Sequence, residues 1–297
     1  MYSTERAALT DFMAKSKKTQ KQISKEIGLS TAVVSQFLSG TYTGDNNEVA
    51  QTINKYLIIG NERLNNVLST RFYKDLYNTK EVLYAANYAH RHCDIVLVSG
   101  DSGAGKTTAL KYYAENNAAV IFVTANACTG GINSMLTMIC EKMKLPISNK
   151  NNVMMKALVY HLTNSNRLIV IDEADHLTLN ALQAIRNLND EAHVGIVLAG
   201  NEKLYFKMQR DLKFDQLKNR IAVRKRVCND YETEEIKYIF QGLDDECVGF
   251  FLNLAGRECL RTAIKLFEIA TGAAELGEHA ITYKFLKKLQ TEMMGVI

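Results

Sequence analysis

The sequence predicts an α/β protein built on a parallel sheet, with an all-helical unit before the sheet and helices after it. A glycine-rich phosphate-binding loop lies between a strand pattern and a helix pattern at residues 100–107. A second buried strand runs into two carboxylates, Asp172 and Glu173. Ahead of both, residues 19–38 carry a helix-turn-helix pattern, and these three observations together predict the fold class.

Composition narrows the class further. The chain has 297 residues, of which 47% are hydrophobic, so it is long enough for two domains or one large one. The polar beginning of the chain lacks the apolar region of a signal peptide, and no apolar run reaches the ~18 residues of a membrane span. The six cysteines are scattered without a C-x-x-C pair, which suits a reducing compartment. We therefore expect a cytoplasmic protein with no membrane partner.

The helix-turn-helix pattern sets out a small N-terminal unit. Ile23 and Ile27 share one face of a first helix, and Gly28 suits the left-handed turn position that follows. Ser30 can cap a second helix, whose inward positions are Val34, Phe37 and Leu38. A further helix from Glu48 to about Ile58 would close the unit.

The outward positions of the second helix are those that a recognition helix presents to base edges. They are Thr31, Ala32, Ser35 and Gln36. Only Gln36 is long enough for a bidentate base contact, so we expect weak sequence specificity. Lys18 and Lys21, just before and on the first helix, suit phosphate contacts. A helical bundle that binds protein is the alternative.

The phosphate-binding loop follows a strand pattern at 94–99 and precedes a helix pattern at 107–114. Its glycines let the backbone wrap around a phosphate, which the exposed amides and the helix dipole attract. Lys106 would reach the β- and γ-phosphates, and Thr107 would hold Mg²⁺. A chance glycine-rich turn is the alternative. The predicted cofactors are ATP and Mg²⁺, and the predicted nucleotide-binding residues are Gly100, Asp101, Ser102, Gly103, Ala104, Gly105, Lys106, Thr107 and Thr108.

Two later strands supply the other candidate catalytic residues. The strand 167–171 delivers Asp172 beside the metal and Glu173 where it would polarise the attacking water. An ordinary strand that ends in a polar turn is the alternative. The strand 193–200 ends in Asn201, which could contact the γ-phosphate; a turn-forming asparagine is the other interpretation.

This order of motifs resembles that of the AAA+ ATPases. The resemblance implies a parallel five-stranded sheet, a helical C-terminal lid, and an active site completed by an arginine from a neighbouring subunit. Arg220 lies where the family's finger arginine falls, and Arg210 and Arg224 are alternatives. The segment 256–261 is similar to the family's second sensor, which makes Arg261 a nucleotide contact, with Arg257 as the alternative.

The resemblance also implies domain boundaries. They are a helix-turn-helix domain at 1–60, a linker at 61–78, an AAA+ core at 79–228 and a helical lid at 229–297.

The segment 203–226 is strongly basic, so Lys203 and Lys207 are further candidates for contact with DNA. A solvated charged face is the alternative for this segment.

A helix-turn-helix unit ahead of a compact ATPase resembles the ATP-dependent target DNA activators of Mu-like bacteriophages. That implies a protein that binds double-stranded DNA with little sequence preference, assembles with itself into a filament or ring, and delivers the DNA to a transposase. Its ATP hydrolysis would be weak and stimulated by DNA and by the partner. A secretion or signalling ATPase with a protein-binding N-terminal unit is one alternative. A nucleotide-gated transcriptional regulator is the other.

Overall fold

The computed structural model describes residues 2–65, 72–277 and 280–294. The chain divides into two compact units, Met1–Arg71 and Phe72–Ile297. The predicted domain boundaries after residues 60, 78 and 228 stay predictions. No helix in the described part of the chain is long and apolar enough to cross a membrane.

All the secondary structure in the described part of the first unit is α-helical. Its helices are α1 (Ser3–Ser16), α2 (Gln20–Ile27), α3 (Thr31–Ser39) and α4 (Asn46–Asn65). A capping box at Thr19 begins α2, and Gly28 ends it in the left-handed conformation with φ 74°. The side chain of Ser30 caps α3. The helices bury an apolar core of Leu9, Phe12, Ile23, Val34, Phe37, Val49, Ala50, Ile53 and Leu57.

Helix α4 is longer than the predicted helix from Glu48 to about Ile58. It begins at Asn46 and continues to Asn65. The sequence suggests a stop at Gly60, but the Phe12 ring explains the glycine, because a Cβ there would lie 2.6 Å from Phe12 Cε2. A glycine that allows two helices to approach is tolerated inside a helix, at a cost of ~1 kcal/mol relative to alanine.

The second unit is built on one parallel sheet. Its strands are β1 (Ile95–Gly100), β2 (Val120–Thr124), β3 (Leu168–Asp172), β4 (Gly195–Gly200) and β5 (Ile221–Val227). The spatial order is β2-β3-β4-β1-β5, and every pair is parallel. The carboxyl ends of the strands therefore meet at one edge of the sheet, where α/β proteins bind ligands.

Helices cover both faces of this sheet. Ile95 and Leu97 of β1 belong to the apolar core on one face, and Val96 and Val98 belong to the core on the other. The helices around the sheet are α5 (Tyr77–His92), α6 (Lys106–Glu115), α7 (Ile132–Lys142), α8 (Asn151–Leu162), α9 (Leu179–Ala192), α10 (Glu202–Arg210) and α11 (Asp215–Lys218).

Four more helices follow β5. They are α12 (Thr233–Ile239), α13 (Asp245–Arg257), α14 (Leu260–Gly277) and α15 (Tyr283–Met294). Three aromatic rings hold this group together: Phe251 stacks on Phe240 with centroids 4.5 Å apart, and Phe267 packs against both. The predicted α/β architecture with a helical C-terminal lid is confirmed.

Candidate nucleotide site

The phosphate loop lies at the carboxyl edge of the sheet, between β1 and α6. Its lysine, Lys106, turns back across the loop, and Nζ donates to the carbonyl oxygens of Gly100 (2.9 Å) and Asp101 (2.8 Å). Burial lowers the pKa of Lys106, and the nearby carboxylates of Glu173 and Asp172 oppose that shift. The lysine is thus held inside the loop among groups of opposite charge.

The backbone of this loop suits a bound triphosphate. Gly100 has φ 148°, and a Cβ there would overlap the carbonyl oxygen of Val227. Among the described residues no side chain caps the first turn of α6, which begins at Lys106. Its leading amide groups are therefore available to an anion, which the helix dipole also attracts.

A partly buried pair of oxygen ligands lies beside the loop. Thr107 Oγ1 donates to Asp172 Oδ2 at 2.8 Å, and Asp172 is only 2% exposed. The hydroxyl comes from the first turn of α6, and the carboxylate ends β3, which hydrogen-bonds to its neighbour up to that residue. Hydroxyl and carboxylate oxygens are the ligands that Mg²⁺ prefers, so this pair fits the ion.

Glu173 follows directly after β3 and is exposed. Its backbone is left-handed, with φ 55° and ψ 38°, a conformation that residues other than glycine rarely adopt. Such a conformation persists only where its surroundings impose it, and it is concentrated at functional sites. The turn carries this carboxylate away from the line of the strand.

Asn201 is hydrogen-bonded to Asp175, a residue that the sequence reading did not select. Asn201 Nδ2 donates to Asp175 Oδ2 at 2.6 Å, while Asn201 Oδ1 accepts from the Lys203 amide and caps α10. Asp175 also lies against Gly200, where a Cβ would be 2.6 Å from its Oδ1. The nearness of Asp175 to Asp172 in sequence was the available signal.

Arg220 lies at the opposite edge of the sheet. It immediately precedes Ile221, which pairs with Ile95 at the amino end of β1. The seven residues of β5 separate it from the carboxyl edge by roughly 20 Å. Its Nε pairs with Asp190 Oδ1 at 3.0 Å, and its side chain is 57% exposed.

The other cations of β5 are paired within the chain. The guanidinium of Arg224 lies over the Tyr205 ring and has Glu202 Oε1 3.8 Å from NH2. Arg226 donates to that same oxygen at 3.0 Å, and Lys225 pairs with Glu81. Helix α10 keeps an exposed basic groove, lined by Lys203, Phe206, Lys207, Arg210 and Asp211.

Of the two lid arginines, Arg261 is placed beside the phosphate loop. Its Cβ lies 3.6 Å from the position that a Cβ on Gly103 would take. Cys259 lies closer still, with its Cβ and Sγ 2.7 Å from the same position. The turn between α13 and α14 therefore packs directly on the loop, a contact that no local pattern predicts.

The N-terminal candidates for DNA contact are mainly exposed. Lys21 is exposed, whereas Lys18 donates to Glu26 Oε2 at 2.7 Å and to the Tyr56 hydroxyl at 3.3 Å. The hydrogen bond to Glu26 raises the pKa of Lys18. The hydroxyl of Thr31 is hydrogen-bonded to Ser24 at 3.1 Å. The exposed residues of α3 include Thr31, Ala32, Ser35 and Gln36.

Similar proteins agree with this geometry. Residues 89–208 match the AAA domain family. The ATP-dependent target DNA activator B of Escherichia phage Mu is 30% identical over 242 residues, which cover 79% of this chain and 76% of that protein. The Mu-like prophage FluMu DNA transposition protein B of Haemophilus influenzae is 26% identical over 68% of this chain and 70% of its own length.

Among solved structures, the Aeropyrum pernix ORC2 protein in its ADP form superposes with a TM-score of 0.52. The match is 17% identical and covers 74% of this chain and 69% of that one, so it supports the fold alone. Fold, phosphate loop and AAA domain match together define an AAA+ ATPase, which binds and hydrolyses ATP. Within that class, the chain belongs to the family of the phage Mu ATP-dependent target DNA activator B.

Proposed function

We propose that this protein is an ATP-dependent DNA-binding ATPase that assembles on target DNA, delivers it to a transposase and activates that enzyme. The observation that carries the proposal is the division of the candidate site between two edges of one sheet, in a chain whose relatives are named as target DNA activators. A site divided in this way needs a second subunit, so nucleotide binding and assembly become one event.

In each subunit, Lys106 contacts the β- and γ-phosphates, and Thr107 and Asp172 hold Mg²⁺. The uncapped helix beside the loop and the partly buried hydrogen bond between the Thr107 hydroxyl and the Asp172 carboxylate support these roles. Glu173 polarises the attacking water, since it follows Asp172 directly and carries an exposed carboxylate. When bound, the ion would neutralise the charge of the phosphates, and the loop would fix the position of the phosphates.

Asn201 orients the γ-phosphate or the water, held by Asp175 behind it. Arg261 contacts the nucleotide from the lid, since its Cβ lies near the phosphate loop. Arg220 acts in trans on the nucleotide of the neighbouring subunit. Its distance from its own phosphate loop and its exposed side chain support that role.

The N-terminal unit contributes to DNA binding through the exposed face of α3. Because its side chains are short and uncharged, they support contact without strict sequence reading. Lys21 suits a contact with a DNA phosphate. Lys18 contributes a positive charge to DNA binding that its ion pair with Glu26 partly offsets. In the ATPase unit, Lys203 and Lys207 in the α10 groove are the proposed phosphate contacts.

Delivery to a transposase is supported by the names of the relatives, "target DNA activator" and "DNA transposition protein". We propose that hydrolysis, which we expect to be slow until DNA and the transposase stimulate it, ends the assembly. When the γ-phosphate is lost, Arg220 of the next subunit loses its partner, so the contact between subunits and the affinity for DNA weaken together.

The test compares ATP-dependent DNA binding by the native chain and by Lys106→Ala, with Lys111→Ala, an exposed lysine on the same helix, as the matched control. On random duplex DNA, the native chain and the control should bind with ATP and form assemblies visible by electron microscopy. Binding should weaken steeply with salt on any duplex, and Lys106→Ala should lose the ATP-dependent part.

Each alternative function gives a different result. A nucleotide-gated regulator would keep one preferred DNA sequence at high salt. An ATPase with a protein-binding N-terminal unit would bind no duplex with or without ATP. Undiminished assemblies of Lys106→Ala in the presence of ATP would overturn the proposal.

A further inference from the structure

Asn229 joins three parts of the ATPase unit that are far apart in sequence. It follows the end of β5 and precedes the first lid helix. Its backbone amide donates to Asp101 Oδ2 in the phosphate loop at 3.0 Å. Its side-chain nitrogen Nδ2 donates to the carbonyl oxygen of Ser102 in the loop and to that of Glu258 in the lid, each at 3.2 Å.

The orientation of this side chain is fixed at both ends. The two N–H groups of an asparagine amide can serve two acceptors, and here one acceptor belongs to the loop and the other to the lid. The amide oxygen accepts from the hydroxyl of Tyr231, which is 7% exposed, at 3.3 Å. Each polar group of the amide therefore has a partner, so the side chain has one favourable orientation.

The lid segment that Asn229 holds is the segment that packs on the phosphate loop. Glu258 and Cys259 form the turn between α13 and α14. The Cys259 side chain lies against Gly103, whose φ of 78° and missing Cβ allow the close approach. Loop and lid turn are thus in direct contact, with Asn229 hydrogen-bonded to both.

We propose that Asn229 is a positioning residue that ties the lid turn at Glu258 and Cys259 to the phosphate loop and so sets the affinity for ATP. A phosphate that orders the loop also favours the position in which the lid turn packs on the loop. In return, a lid turn fixed in this position favours the phosphate-binding conformation of the loop. The coupling is reciprocal, as any linkage between two binding equilibria must be. The hydrogen bonds of Asn229 go to the loop, the lid turn and Tyr231, so we expect the hydrolytic step not to depend on it.

The first test is Asn229→Asp, which keeps the size of the side chain and the backbone hydrogen bond to Asp101. It removes both N–H donors and sets a carboxylate oxygen against two carbonyl oxygens. We expect the KM for ATP to rise about tenfold, because the two hydrogen bonds are lost and the new carboxylate repels the two carbonyl oxygens. The kcat should stay within about twofold of the native value. Asn133→Asp is the matched control, since the Asn133 amide donates to the exposed Asn151 away from the loop.

The second test reads the lid position without measuring activity. Cys259 is partly exposed and Cys128 is exposed, so the labelling rates of the two thiols by an alkylating reagent can be compared within one molecule by mass spectrometry. In the native chain and in Asn133→Asp, ATP should slow the labelling of Cys259 relative to Cys128. In Asn229→Asp, Cys259 should label several-fold faster without ATP, and protection should need about tenfold more ATP.

Asn229→Ala removes the donors without adding a charge, so it provides the same test if the aspartate variant does not fold. It should raise KM and the labelling rate of Cys259 in the same direction, by a smaller factor. The proposal is overturned if either folded variant keeps the native KM and the native labelling ratio. It is equally overturned if kcat falls while KM does not change, because the residue would then act on the hydrolytic step.

Discussion

The two edges of the sheet differ in how far the side chains of the candidate site are held by contacts within one chain. At the carboxyl edge, the lysine and threonine of the phosphate loop are hydrogen-bonded to loop carbonyls and to Asp172, which is 2% exposed. At the amino edge, Arg220 is 57% exposed, and its Nε lies 3.0 Å from Asp190 Oδ1. The first edge is assembled within the subunit, whereas the second presents a cation outward. The contrast supports the proposal that the amino edge of one subunit serves the carboxyl edge of another.

Replacing Arg220 should break this division most severely. We expect Arg220→Ala to lower the DNA-stimulated rate of ATP hydrolysis by roughly 10³–10⁵-fold, the range that trans arginines contribute to phosphoryl transfer. Affinity for ATP should change little, because the residue is remote from its own phosphate loop. Steady-state phosphate release and a nucleotide-binding titration measure the two effects separately.

Arg224→Ala is the matched control, since that arginine is already stacked on Tyr205. A mixing experiment then tests the trans role: Arg220→Ala subunits with an intact Glu173 should regain activity when mixed with Glu173→Gln subunits, which supply Arg220. A native rate for Arg220→Ala, or a loss confined to Arg224→Ala, would show that the finger arginine is assigned wrongly.

The next largest effect belongs to the carboxyl edge itself. Glu173→Gln should lower kcat by roughly 10²–10⁴-fold, because an amide cannot accept the proton of the attacking water. ATP binding should persist and the DNA-bound assembly should live longer. Glu191→Gln, at an exposed position near the end of α9, is the control. Turnover at the native rate in single-turnover assays of Glu173→Gln would remove Glu173 from the mechanism.

Sequence reasoning succeeded where the signal is local. The phosphate loop is a contiguous motif between a buried strand and a helix, and the strand pattern at 94–99 differs by one residue at each end from β1 (Ile95–Gly100). β1, β3 and β4 are short apolar runs that lead into Asp101, Asp172 and Asn201. Such runs can be read from neighbouring residues alone.

It failed where a residue's partner is distant in the chain. Asp175 meets Asn201 across 26 positions, and Asn229 meets Ser102 across 127. Neither contact leaves a periodic pattern, because each depends on which strands become neighbours in the sheet. Gly60 is a similar case, since a Cβ at this position would lie 2.6 Å from the distant Phe12 ring, so the glycine serves helix packing rather than a helix end.

Within the carboxyl edge, Asp175 should matter less than Glu173. Asp175→Asn removes the carboxylate that orients the Asn201 amide, so we expect kcat to fall about tenfold with little change in KM. A double-mutant cycle with Asn201→Ala measures the coupling: the combined loss should be clearly smaller than the product of the single losses. Independent, multiplying effects would contradict the positioning role.

The smallest expected effect lies at the amino edge. Asp190 Oδ1 pairs with Nε of Arg220, whose side chain is 57% exposed and can therefore reach a phosphate of a neighbouring subunit. Asp190→Asn should let Arg220 sample more orientations and lower the DNA-stimulated kcat by about two- to fivefold, as expected for a partly exposed ion pair. The measurement is stimulated phosphate release at saturating ATP.

Asp75→Asn is the matched control, because Asp75 forms an exposed ion pair with Lys80, at 3.7 Å, that involves no candidate site residue. It should leave the rate unchanged. A faster rate in Asp190→Asn would mean that the ion pair restrains Arg220 rather than orienting it. Arg220 would then be held away from the phosphate until the nucleotide of a neighbouring subunit breaks the ion pair. The amino edge would differ from the carboxyl edge by this switch rather than by a missing partner.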